Sequence, residues 1–325
     1  MQNLTELQKQ LCDILQRGLP ICEKPFAEIA EVLGTNEKNV LEQIRGLKKS
    51  GIIRRFRAII NHRSLGKTSI LAAAHVPEEK LQEVSEAVNS LQGVSHNYLR
   101  DNFYNLWFTL QAETAAQINE ILSKLSKRFD IDFQSLPVVK SFKLDVRFEF
   151  ENKETEHVSE VRAVPKDEVV MLNENEKRIL SKLQNELEII SEPFSFLCDD
   201  KLELEDILGI IRGLIDKGVI RRIAAVLDYR ELGFIANVLF ACEVPQKKII
   251  QTGKKLAGSN LVSHCYERKT FQDWPHNLFA MMHGKSMDEI HEFVEEFTKA
   301  EDITSYKLLP TLTELKKAPV KQTFQ

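Results

Sequence analysis

Two stretches of the chain carry the same polar residues at alternating positions. One reads V-S-H-N-Y-L-R, from Val94 to Arg100, and the other V-S-H-C-Y-E-R, from Val262 to Arg268. Alternate side chains of a β-strand share one face and stand about 6.6 Å apart. His96, Tyr98 and Arg100 therefore form one stripe, and His264, Tyr266 and Arg268 a second. Arginine grips carboxylates through charge-assisted, often bidentate, hydrogen bonds. Histidine exchanges protons near neutral pH and also ligates iron. The combination points to a ligand with several carboxylates that needs a proton, or to one that contains a metal. The competing reading is a polar, partly solvated sheet face without a ligand, which suits a lone histidine better than a duplicated stripe. No H-E-x-x-H helix, phosphate-cradling glycine loop or nucleophile–base set is recognisable.

The stripes need strands to hold them, and the surrounding sequence supplies two copies of one plan. Residues 50–66, SGIIRRFRAIINHRSLG, match 217–233, KGVIRRIAAVLDYRELG. Arg54 and Arg55 answer to Arg221 and Arg222, and His62 to Tyr229. A duplication this long is a repeated two-part protein rather than a solenoid unit. In copy one, Ile29, Val32 and Leu33, then Val40, Leu41, Ile44 and Leu47, have helical spacing on either side of a turn at Gly34. Gly51 ends the second helix, and IIRRFRAII reads as a wing strand.

The rest of each copy reads strand, helix, strand, strand, helix, strand. The segments are 69–76, 78–91, 94–100, 105–112, 114–129 and 132–140, then 236–244, 247–257, 261–269, 276–284, 287–297 and 303–311. This predicts an α+β fold: a tandem repeat of winged helix-turn-helix plus ferredoxin-like βαββαβ sandwich, pseudo-dimeric within one chain. The expected divisions are 1–66 and 67–150 for copy one, a charged linker at 151–174, then a degenerate helix-turn-helix at 175–233 and a second sandwich at 234–325. Leu106, Phe108 and Leu110 suit the helix-covered sheet face. The stripes should then point to the other face, toward the partner copy or a cavity. Residues 315–325 read as a loose tail.

At 325 residues the chain can bury two or more cores, and 43% hydrophobic with 28% charged residues describes a soluble globular protein. No apolar run reaches the roughly 20 residues of a membrane span, and the N-terminus lacks signal-peptide character, so a cytoplasmic protein is expected. Cys12, Cys22, Cys198, Cys242 and Cys265 form no C-x-x-C pair. Neither a zinc site nor a disulfide framework is expected, which fits a reducing compartment.

A winged helix-turn-helix joined to this sandwich resembles the Lrp/AsnC class of transcription regulators. The charges argue against DNA as partner. Copy one's helix-turn-helix sets Lys38, Arg45, Lys48, Lys49, Arg54 and Arg55 against Glu28, Glu31, Glu37 and Glu42. Copy two places Asp199, Asp200, Glu203, Glu205 and Asp206 at its turn and second helix, where phosphates would be repelled. The whole chain carries a net charge of −4.

The motifs IIRRFRAIINHRSLG, VSHNYLRDNFYNLWFTL and VSHCYERKTFQDWPHNLFAMMHG resemble the sirohaem decarboxylases, and the two that contain tryptophan are more specific than the helix-turn-helix. That family is built from Lrp/AsnC-like subunits that normally pair as two related proteins; here both types stand in one chain. The resemblance implies non-oxidative loss of CO2 from the C12 and C18 acetates of sirohaem, giving 12,18-didecarboxysirohaem for haem d1 or an alternative haem route. It implies sirohaem and its decarboxylated products as ligands, pairing of the two copies within the chain, and no cofactor, since the iron belongs to the substrate. A homo-oligomer is also open. A tetrapyrrole carrier or sensor using the same residues is the remaining alternative.

On this resemblance His96, His264, Tyr98 and His62 are the candidate catalytic residues. Any of His62, His96 and His264 could also ligate the substrate iron. Arg54, Arg55, Arg63, Lys67, Arg100, Arg221, Arg222 and Arg268 are candidates for the substrate carboxylates. Trp107 and Trp274 would offer macrocycle-stacking or niche surface. The competing reading of the tandem arginines is that they bond wing carbonyls or surface acids, and that of the tryptophans is core packing.

Overall fold

The computed structural model describes residues 4–144 and 169–324. Most of the expected linker therefore lies outside the described residues. The expected α+β tandem architecture is the one the chain adopts, but its parts are sorted by type rather than by copy. One compact unit holds 4–66, 169–233 and 322–324; the other holds 67–144 and 234–321.

The first unit is helical. In copy one it contains α1 (Glu6–Arg17), α2 (Pro25–Val32), α3 (Glu37–Lys49) and the wing strand β1 (Ile53–Ile60). Thr5 caps α1 through a reciprocal capping box with Gln8, and Asn36 caps α3. One continuous core runs through the unit, from Leu11 and Ile14 through Phe26, Ile44 and Phe56 to Ile207 and Ile223. The wing of copy one pairs antiparallel with that of copy two (Ile220–Leu227), placing Phe56 opposite Ala225 and Arg57 opposite Ala224. Copy two departs from copy one at one helix. The counterpart of α2 is a single 3-10 turn, Ser195–Leu197, after which the second helix spans Leu204–Asp216.

The second unit contains β2 (Thr68–Ala74), α4 (Leu81–Ser90), β3 (Val94–Arg100), β4 (Leu106–Ala112), α5 (Ala115–Phe129) and β5 (Phe133–Leu144) from copy one. The first unit, by contrast, takes α6 (Glu174–Leu183), α7 (Leu204–Asp216) and the second wing β6 (Ile220–Leu227) from copy two. Copy two then contributes β7 (Ala236–Cys242), α8 (Ile249–Ala257), β8 (Val262–Arg268), β9 (Leu278–Gly284), α9 (Met287–Ala300) and β10 (Tyr306–Lys317). The two sheets close into one eight-stranded barrel in the order β10-β3-β4-β2-β5-β8-β9-β7.

Closure depends on the last strand of each copy, which runs past its expected end. β5 pairs with its own β2 as far as Pro137, then with β8 of copy two from Val138 to Leu144. β10 pairs with β7 as far as Pro310, then with β3 of copy one from Thr311 to Lys317. Closure leaves no open sheet edge. It also corrects the loose-tail expectation. Lys316 Nζ donates to the carbonyls of Asn89 and Leu91, the Ala318 amide to that of Ser95, and Gln322 bonds Gln184 in the helical unit.

Candidate active site

Register fixes where the stripes point. His96 stands opposite Thr109 and Tyr98 opposite Trp107 on β4. Leu106, Phe108 and Leu110 alternate with those partners and pack beneath the helices of copy one. His264 and Tyr266 face Met281 and Phe279 in the same way. Both stripes therefore lie on the barrel's inner face, opposite the helices, as the alternation predicts.

The two stripes share a geometry. His96 and Tyr98 rings are 6.1 Å apart, as are those of His264 and Tyr266. Arg100 lies 5.0 Å over the Tyr98 ring and Arg268 4.9 Å over that of Tyr266, cation–π distances in both cases. The serine before each histidine bonds its ring: Ser95 Oγ to His96 Nδ1 at 2.8 Å and Ser263 Oγ to His264 Nδ1 at 3.1 Å. Each serine is itself held, the first on Thr109 Oγ1 and the second on the Met281 carbonyl. A ring fixed through Nδ1 in this way directs Nε2 as its reactive atom.

Arg100 and Arg268 are buried, and both stitch the copies together. Arg100 Nη1 donates to the Leu309 carbonyl at 2.9 Å, and Arg268 Nη1 to that of Leu136 at the same distance. Lys67 Nζ is 2.9 Å from Glu113. Trp107 and Trp274 are 1% and 3% exposed. Their rings are 5.3 Å apart, within an apolar plug with Leu136, Leu239, Phe279 and Leu309. Both rings pack within this plug rather than on an open surface.

The remaining candidates belong to the helical unit. Arg54 Nε is 3.7 Å from Asp228, and Arg221 donates to Asn61 Oδ1 at 3.2 Å. Arg55 and Arg222 share one face of the paired wings, the face opposite Phe56 and Ile223. His62 and Arg63 open the 3-10 turn His62–Leu65. Arg45 donates to the Ile189 carbonyl, Lys48 pairs with Glu186, and Glu37 accepts from Ser191, so α3 is engaged with copy two's chain.

Sequence reasoning missed several residues beside the stripes. Lys317 stands opposite His96 and Glu314 opposite Tyr98, 3.8 Å apart as a pair. The positions opposite His264 and Tyr266 carry Leu144 and Ser141 instead. Thr311 and Asn237 adjoin Arg100 and His283. In the wings, burial and then the neighbouring Arg55 lower the pKa of Arg57. Aligning the two last strands residue by residue would have exposed the Lys317/Leu144 difference; the others gain meaning only from strand pairing.

Comparison with known proteins places this geometry. A family model described as an AsnC-like ligand binding domain matches residues 64–143 and 231–316, and one described as a siroheme decarboxylase NirDL-like HTH domain matches 8–54. A siroheme decarboxylase of Hydrogenobacter thermophilus is 34% identical, over 96% of this chain and 93% of its own. A siroheme decarboxylase alpha subunit of Desulfovibrio desulfuricans is 38% identical over 47% of this chain and 88% of its own length, the span of one copy. The crystal structure of the siroheme decarboxylase NirDL in co-complex with an iron-uroporphyrin III analogue superposes with a TM-score of 0.73 at 32% identity, over 98% of this chain and 95% of that one. Full-length identity, matching architecture in both units and two paired copies in one chain converge on one assignment: the chain belongs to the siroheme decarboxylase family.

Proposed function

We propose that this chain removes the C12 and C18 acetate carboxyl groups of sirohaem as CO2, giving 12,18-didecarboxysirohaem on the route to haem d1. The observation that carries the reading is the duplicated His-Tyr-Arg stripe, each histidine held by its own serine, on the inner face of a barrel closed by both copies. The solved relative in complex with an iron-uroporphyrin III analogue supports a tetrapyrrole as ligand.

The chemistry fits the residues. The bond between the acetate methylene and its carboxyl carbon breaks, and CO2 leaves. The electron pair passes into the macrocycle, which accepts it when an acid polarises the ring. A proton then adds to the methylene carbon to make a methyl group. Carbon dioxide leaves and a proton enters, so no external oxidant or reductant is needed. His96 and His264 are the proposed proton donors, with Tyr98 and Tyr266 beside them. Arg100 and Arg268 are the proposed cationic partners of substrate carboxylates on the same face. The apolar plug around Trp107 and Trp274 lowers the local dielectric, which favours neutral CO2 over the carboxylate. A reducing compartment is proposed from the cysteines, all five of which are free.

The test is anaerobic incubation with sirohaem followed by mass spectrometry of the extracted pigment. Loss of two CO2 units is expected. His96→Ala and His264→Ala should each slow CO2 release by about 10²- to 10⁴-fold, the usual contribution of a general acid. Sirohaem recovered bound but unchanged would make the chain a carrier instead.

A further inference from the structure

The two stripes match, but their surroundings do not. Beside Arg100 a chain of hydrogen bonds crosses three strands of copy two. Arg100 Nη1 donates to Thr311 Oγ1 at 3.0 Å. Thr311 Oγ1 donates to Asn237 Oδ1 at 2.6 Å. Asn237 Nδ2 meets His283 Nε2 at 3.2 Å. An arginine can only donate, and that fixes the direction of the whole series. The threonine hydroxyl accepts from the guanidinium and passes its own hydrogen to the amide oxygen. The amide nitrogen then donates to Nε2 of His283, which must be the unprotonated nitrogen. A second contact, Arg100 Nη2 to Met281 Sδ at 3.7 Å, reaches the residue opposite His264.

Copy one cannot build the same series beside Arg268. Val138 stands opposite Arg268 where Thr311 stands opposite Arg100. The residues matching Asn237 and His283 are Ser69 and Gln111, paired across β2 and β4 as Asn237 and His283 are across β7 and β9. A valine has no hydrogen-bonding group, so the series is cut at its first link. The asymmetry extends along the strands, where Lys317 and Glu314 flank the first stripe, and Leu144 and Ser141 the second.

We propose that Thr311, Asn237 and His283 are positioning residues that hold the Arg100 guanidinium, and that the two stripes consequently serve the two decarboxylations unequally. This rests on the sirohaem decarboxylase reading and deepens it. Held at Nη1 by a directed network, the Arg100 guanidinium presents one orientation to a substrate carboxylate. At Arg268 the threonine link is replaced by Val138, so the corresponding series cannot start there. Burial of His283 suits its part, because a neutral ring is the form that accepts from Asn237.

The experiment follows the two CO2 losses separately, by anaerobic time course and mass spectrometry of the pigment. Thr311→Val keeps the side-chain shape and removes the hydroxyl; Thr311→Ser keeps the hydroxyl. One CO2 loss should slow by about 10- to 100-fold in the valine variant, as expected for a displaced catalytic group, while the other loss keeps its rate. The singly decarboxylated pigment then accumulates. The serine variant should restore that step to within about threefold, with the loss appearing in kcat more than in KM. Asn237→Ser, which installs the residue of copy one, should reproduce the valine phenotype and serves if the valine chain fails to fold. Equal slowing of both losses, no slowing, or a serine variant as slow as the valine one overturns this inference alone. No CO2 loss by the unaltered chain overturns the decarboxylase reading and this inference with it.

Discussion

At the scale of single residues, the histidines divide by environment. His96 and His264 are half-buried and serine-bonded, whereas His283 is buried. Burial first, then the charges of His264, Lys317 and Arg100, push the His283 pKa down to about 3. The unfolded chain takes up a proton at this position below about pH 6.5, and the folded chain does not until far lower pH. Stability is therefore present above the unfolded value and is lost as pH falls between about 6.5 and 3, at about 1.4 kcal/mol per pH unit. Between pH 7 and pH 5 this one group should cost roughly 2 kcal/mol of stability. Urea unfolding at both pH values should show that loss shrinking by about that amount in His283→Gln, which cannot titrate. An unchanged loss would mean that the folded ring takes up its proton at the same pH as the unfolded chain. The stripes themselves were legible in the sequence, because a period of two with a repeated polar triplet needs only local order. Thr311 and Asn237 were not, because neither is adjacent in sequence to the groups it joins.

At the scale of elements, the four strands of each copy and the faces they present followed from alternation. What the sequence hid was the length of β5 and β10. Their second halves carry polar and bulky residues that pair only with the other copy, so no local pattern marks their ends. One packing contact shows how the copies are matched. Phe142, on the second half of β5, packs into the core of copy two. A Cβ on Gly253 of α8 would come 2.5 Å from the Phe142 ring. Replacing glycine by alanine inside a helix normally stabilises by about 1 kcal/mol. Here the added methyl must displace an aromatic ring, an overpacking cost of about 1–3 kcal/mol that reverses the sign. Gly253→Ala should therefore lower stability in denaturant unfolding, and Phe142→Leu in the same chain should recover it. A stabilised Gly253→Ala chain would show that the ring yields freely.

At the scale of the whole molecule, the pairing of copies is selective because the matching contacts differ in size and charge. Phe142 meets Gly253, while its counterpart Leu315 packs on the core of copy one, where the helix position matching Gly253 is Ser85. Two copies of the first half would press Phe142 toward a serine. Two copies of the second would leave a leucine over a glycine and bring Lys317 against another copy-two stripe. Either half alone also leaves one edge of β3 or β8, and the far part of β5 or β10, without the strand that pairs with it in the full chain. Such edges invite aggregation or mispairing. A chain divided genetically between residues 144 and 169 and co-expressed as two pieces should consequently reassemble one to one and retain sirohaem turnover. Each piece expressed by itself should aggregate or self-pair more weakly. Size-exclusion chromatography with mass determination distinguishes these outcomes, and stable self-pairs that refuse to exchange on mixing would contradict the selective pairing. The half-length Desulfovibrio desulfuricans relative, matched over one copy's span, shows that a copy of this kind also occurs as a separate polypeptide. Joining two copies in one chain raises the effective concentration of each for the other without adding a contact. Within the barrel the selective contacts lie on the β5–β8 and β10–β3 seams, the same seams that carry Arg268 and Arg100, so closing the barrel and completing the two stripes are one structural event.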